Sequence, residues 1–97
     1  MSETTNNKTI TKISLDAVLD EREEQNGEFE VVSAISQELK EIFRKSKNYL
    51  RLNSMQRESI EMILHKVARI CSGDPNHKDH WVDISGYSQL VAETLRD

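Results

Sequence analysis

The tightest constraint on the fold is a helical pattern near the C-terminus that is interrupted and then restarts. Between Ser54 and Cys71 the apolar residues Ile60, Ile63, Leu64, Val67, Ile70 and Cys71 recur at the three- and four-residue spacing of one helix face. The stretch "SGDP", Ser72 to Pro75, ends that pattern: Gly73 suits a helix C-cap, and Pro75 cannot continue a helix. A second pattern follows, with Asp79 as its natural N-cap and Trp81, Ile84, Ser88, Val91 and Leu95 as its core-facing stripe. Helices joined by so short a link pack antiparallel. The chain is therefore expected to carry a C-terminal antiparallel helical hairpin, residues 54–71 and 79–95, with Ser54 capping its first helix.

Upstream, Val31, Val32, Ile35, Leu39, Ile42 and Phe43 fall within an arc about 120° wide on a helix expected from Glu28 to Ser46. The linker "KSKNYLRLN" follows, and its Tyr49, Leu50 and Leu52 are expected to cover a helix end. A shorter helix is expected after Ser14, with Leu15, Val18, Leu19 and Arg22 on one face and Gly27 at its end. Its acidic run, Asp20, Glu21, Glu23 and Glu24, fits a solvated face. Residues 1–12, "MSETTNNKTITK", have too little apolar surface to offset their ordering entropy and are expected to form a flexible tail. No strand pattern or internal repeat is legible. The expected class is all-α, a small bundle of about four helices forming one domain over 13–97.

Charge and length exclude several functions. A formal net charge of −4 provides no global field for DNA or an anionic membrane. The single cysteine, Cys71, excludes an internal disulfide and a cysteine-based zinc site, and it lies in an apolar pattern. No segment reaches the roughly 20 apolar residues of a membrane span, and no signal-peptide core is present. The expected setting is a reducing cytoplasm. A core this small commonly leans on oligomerisation, so a homo-oligomer is expected.

Three constellations could carry function. On the polar side of the helix over 54–71, Glu58, Glu61, His65 and Arg69 align within an arc of about 80°. A magnesium site from Glu61, His65 and Asp83 is one reading, because hard cations take clustered carboxylates. A solvated face with salt bridges from Lys66 and Arg69 to Asp79 and Asp83 is the other. Lys66 and Arg69, with His77 and Lys78 on the turn, suit a phosphate group, although cations also belong at a helix C-terminus for dipole reasons alone. Gly86 costs about 1 kcal/mol relative to alanine inside a helix, which close approach of a backbone or ligand would explain. It shares a second face with Val82 and Leu90, and Tyr87 lies off the Trp81 stripe, where it would stack on a base or line a subunit contact. No nucleophile–base pair, glycine-rich phosphate loop or dinucleotide fingerprint is present, so no catalytic residue is assigned.

The stretch "HKVARICSGDPNHKDHWVDISGYSQLV" resembles the C-terminal signature of a family of small bacteriophage and prophage proteins: Lys-x-x-Arg-(Ile/Leu), Gly-Asp-Pro, then Asp-x-Trp-x-Asp-Ile-x-Gly-Tyr. Lys66, Arg69, Gly73, Asp74, Pro75, Asp79, Trp81, Asp83, Ile84, Gly86 and Tyr87 match it. The upstream Tyr-Gly-x-Phe element of that family is "NGEF" here, without its tyrosine. The resemblance covers Glu58 to Val91 and implies phage or prophage origin. A more distant similarity is to all-α nucleoside triphosphate pyrophosphohydrolases of the MazG type, which hold magnesium between carboxylate-rich helices. Glu58, Glu61, Asp79 and Asp83 are the ligands that this similarity implies, fewer than in those enzymes and at altered spacing.

Together these readings lead to a phage-encoded helical protein without a cofactor. It would bind a nucleotide or nucleotide-derived signal through Lys66, Arg69, His77, Lys78, Asp83 and Tyr87, and could sequester that signal from a host defence pathway. The alternatives are a magnesium-dependent (d)NTP pyrophosphohydrolase, or an interaction module whose interface is Gly86, Tyr87 and Leu90.

Overall fold

The computed structural model describes residues 15–96. The flexible tail expected over 1–12 and the cap expected at Ser14 lie outside them. The chain forms helix α1 over 15–26, α2 over Phe29–Arg44, a 3-10 turn at Tyr49–Arg51, α3 over Ser54–Ser72 and α4 over Lys78–Ala92. Among the described residues there is no strand, so the all-α expectation is met. α3 is the middle layer, with α2 on one side and α4 on the other.

Both packings are antiparallel, and the side-chain contacts show the register. Ser36 meets His65 and Arg44 meets Glu61, so α2 and α3 run in opposite senses. Ser59 meets the Tyr87 carbonyl and Lys66 meets Asp83, so α3 and α4 do too. The expected C-terminal hairpin is present.

Two helix starts differ from expectation. Asn53, not Ser54, caps α3: its side chain accepts from the Gln56 amide at 2.8 Å, and the Gln56 side chain accepts from the Asn53 amide at 2.9 Å. This reciprocal capping box satisfies two orphan donors, more than a serine hydroxyl one position later would. α4 starts at Lys78 with His77 as N-cap and no side-chain cap, which leaves Asp79 inside the first turn. There its carboxylate still favours the positive helix end.

Gly27 and Gly73 join α1 to the rest. Gly27 adopts φ +88°, a left-handed conformation that ends α1 and bends the chain into α2. A Cβ at Gly27 would overlap Ser72, and one at Gly73 would overlap the Gln25 carbonyl, so the two glycines let the end of α1 rest on the end of α3. The Gln25 carbonyl then accepts from the Asp74 amide and from His80 Nε2, each at 3.1 Å. At the opposite end Tyr49 stacks on Phe43 with ring centres 5.2 Å apart, and the Arg57 guanidinium lies 4.5 Å from the Tyr49 ring centre.

The core is thin and built from small residues. Val32 and Ala68 are its fully buried apolar members, joined by Ser36, Ser59 and His80. Every buried side-chain polar atom among the described residues has a partner, as burial requires. Trp81 was expected in this core and is instead 55% exposed, its indole N–H donating to the Pro75 carbonyl at 2.9 Å. α4 is rotated by about half a residue step from the expected stripe, so His80, Ile84, Tyr87 and Val91 face inward while Trp81 and Ser88 turn out.

Candidate anionic-ligand groove

Gly27 splays α1 away from α2, and the space between them is a groove of about 460 Å³. α1 supplies Leu19, Arg22, Glu23 and Asn26; α2 supplies Phe29 and Val32; α3 supplies His65 and Arg69. Helical spacing places these side chains together: Arg22 follows Leu19 by three residues on α1, and Arg69 follows His65 by four on α3. Phe29 is 77% exposed on the groove wall, a flat apolar surface without a covering partner. Among the described residues neither Arg22 nor Arg69 is in an ion pair.

His65 registers the charge of this region. Its pKa lies below the usual histidine value, first because it is partly buried and then because Arg69, Lys40 and Lys66 repel a further positive charge. Its Nδ1 is 3.3 Å from Ser36 Oγ, which holds the ring across the α2–α3 seam. The polar side of α3, one of whose expected readings was a solvated face, is thus packed against α2. Glu61 is paired there with Arg44 at 2.5 Å.

The six residues expected to form one ligand site are divided. Arg69 faces the groove. Lys66 turns toward α4, where its Nζ sits 2.8 Å from Asp83 Oδ2 with the lysine side chain only 12% exposed. That contact lowers the Asp83 pKa, chiefly through the Lys66 hydrogen bond and charge. Of the expected salt bridges from Lys66 and Arg69 to Asp79 and Asp83, this is the one present among the described residues. His77 packs edge-on against His80, with ring centres 4.8 Å apart, and Lys78 is exposed at the start of α4. Tyr87 is half-buried, and its carbonyl accepts from Ser59 Oγ at 2.8 Å. Asp83 and Tyr87 line a separate open hollow of about 440 Å³ with Val82, Gly86 and Leu90.

The four carboxylates of the magnesium reading do not converge. Arg44 takes Glu61, Lys66 takes Asp83, and Asp79 sits 3.9 Å from His77. Among the described residues no three His, Cys, Asp or Glu side chains, Glu58 included, form a set that could hold a metal ion. Gly86 has nothing within 4 Å of where a Cβ would stand, so among the described residues no backbone approaches it.

Arg22 and Phe29 belong to the groove and were not singled out as ligand residues from sequence. A signal for Arg22 existed, since it shares the apolar face of α1 with Leu15, Val18 and Leu19, an odd place for a cation without a purpose. For Phe29 the signal was its place in the "NGEF" counterpart of the Tyr-Gly-x-Phe element.

The DUF6378 family, a domain of unknown function, matches residues 9–95. The chain belongs to this family. No curated protein and no solved structure matches it. The family match spans all four helices, so groove and hairpin are parts of one family domain. Among the described residues no helix is long and apolar enough to cross a membrane.

Proposed function

We propose that this protein binds a phosphate-bearing small molecule of nucleotide type in the α1–α2–α3 groove and retains it without chemical turnover. One observation carries the reading: Arg22 and Arg69, from different helices, line the same groove and are in no ion pair among the described residues. Guanidinium groups suit phosphate because their planar fork donates two hydrogen bonds at once. The groove volume is within the usual range of small-molecule sites, roughly 300–1,000 Å³. Exposed Phe29 offers a face for a base, and Leu19 and Val32 give the apolar lining. Neutral His65 would supply one donor and one acceptor.

In the phage or prophage setting that the C-terminal signature implies, such a protein would sequester a nucleotide-derived signal in the host cytoplasm. The pyrophosphohydrolase alternative draws no support from the carboxylates, which are paired with cations or dispersed.

Titration calorimetry with inorganic phosphate, nucleoside mono- and triphosphates and cyclic dinucleotides tests the proposal. Binding is expected at micromolar concentrations. Arg69→Ala should weaken it at least about 10-fold, the worth of one hydrogen bond to a charged group. Phe29→Ala should weaken nucleotides while leaving phosphate unchanged. Absence of heat for every member of the panel at about 100 μM would remove the reading.

A further inference from the structure

Helix α2 carries two apolar stripes, and the fold uses only one. Val32, Ser36, Leu39 and Phe43 face α3. Val31, Ile35 and Ile42, with Glu38 between the last two, follow one another at spacings of four, three and four, within about 60° of the helix circumference, so the second stripe has three apolar members and one carboxylate. Val31 is 44% and Ile42 71% exposed, and Ile35 is half-covered. That spacing is the knob arrangement of a helix–helix seam. From sequence, both stripes read as a single wide face; packing divides them.

The charges of the segments flanking α2 bear on what could cover the second stripe. α1 over 15–26 carries Asp16, Asp20, Glu21, Glu23 and Glu24 against Arg22 alone, a formal charge of −4. Residues 44–51 carry Arg44, Lys45, Lys47 and Arg51 and no acid; Arg44 pairs with Glu61 and Lys45 with Glu41 of the same chain, which leaves Lys47 and Arg51 without an ion pair among the described residues. The two segments flank opposite ends of α2, about 24 Å apart for its 16 residues. They are opposite in sign, and the length of α2 keeps them apart within one chain.

We infer that a second copy of this chain covers the stripe, with the two α2 helices antiparallel about a two-fold axis. In that arrangement Val31 of each chain lies beside Ile42 of the other, and each acidic α1 reaches the other chain's basic 44–51 segment. Every contact is made twice, as a two-fold interface requires. A second copy is also the partner always at hand for a domain in which, among the described residues, Val32 and Ala68 are the fully buried apolar ones. Phe29, which marks the groove, lies about 150° around α2 from the stripe, so the groove stays open in the dimer. This interface and the ligand reading therefore fail independently.

Sedimentation equilibrium combined with light scattering tests it. The wild-type chain is expected to be a dimer at 10 μM, weakening as salt is raised. Ile42→Asp should raise the dissociation constant at least 100-fold while helical circular dichroism is unchanged, because Ile42 is exposed in the single chain. A charge swap secures the result should that variant misfold. Chains bearing Lys47→Glu with Arg51→Glu, and chains bearing Asp20→Lys with Glu24→Lys, should each associate at least 10-fold more weakly alone and recover wild-type affinity when mixed. A monomeric wild type at 100 μM overturns the proposal and leaves the stripe to a different protein. Equal association of the charge variants alone and mixed overturns the antiparallel pairing.

Discussion

The two sides of α3 are built from similar residues and end in opposite states. Toward α4, Lys66 and Asp83 are ion-paired, Ser59 meets the Tyr87 carbonyl, and His80 is buried against the Gln25 carbonyl. Toward α1 and α2, Arg69 and Arg22 line an open groove and Phe29 stands in solvent. Helix geometry accounts for the difference. α4 lies along α3, and Lys66 and Ser59 on that side meet partners there. α1 bends at Gly27 and rests its end on the end of α3, and among the described residues Arg22 and Arg69 beyond that contact are in no ion pair. An open site here follows from one left-handed residue and not from a special set of side chains.

The strongest way to break this contrast is to block the glycine contact. Gly73→Val should push α1 off the end of α3 by overlapping the Gln25 carbonyl, at a cost of about 3 kcal/mol from overpacking. Thermal unfolding would register it as a lower midpoint, and hydrogen exchange should show α1 amides losing protection before those of α3. An unchanged midpoint would mean that the α1–α3 contact does not contribute to stability.

A smaller effect of opposite sign is expected on the closed side. Gly86→Ala meets open space, so replacing a mid-helix glycine should stabilise the fold by about 0.5–1 kcal/mol. Denaturant unfolding measures this directly. A loss of stability would show that a partner approaches Gly86, and would revive the interface reading of Gly86, Tyr87 and Leu90.

The smallest expected effect concerns pH. His65 has a folded pKa below its ordinary value of 6.5, so the unfolded chain takes up the proton first as pH falls. The neutral ring's contribution is therefore complete above about pH 6.5 and lost as pH drops through the lower folded value. Stability measured between pH 7 and pH 5 should fall less in His65→Gln than in the wild type. Phosphate bound in the groove should raise the His65 pKa, a shift that an NMR titration of its ring protons would read. Equal pH slopes for variant and wild type would show that another group governs this range.

Much of the fold was legible because helices announce themselves locally. The apolar periods, Gly27 and the Gly73–Pro75 stop depend only on neighbours in the chain, and α2, α3 and α4 appear close to their expected bounds. Cap identity was harder. Asn53 prevailed over Ser54 because Gln56 completes its capping box, and that reciprocity is visible in the sequence once both residues are weighed together. The site was less legible. Lys66 and Arg69, three residues apart, share one face of α3 and suit a single phosphate grip by spacing, yet Asp83 of α4 takes Lys66 and leaves Arg69 to line the groove.

What the sequence determined by itself is the succession of four helices, their breaks, the charge of each segment and the apolar periods that demand burial. These rest on interactions within a few residues. Tertiary structure alone decided which face of each helix is buried, because that choice depends on the shape of the neighbour. α4 has apolar groups almost all round, and packing buries His80, half-buries Tyr87 and leaves Trp81 outside. The same selection on α2 took Val32 and Phe43 and left Val31 and Ile42 for a second copy, as proposed above.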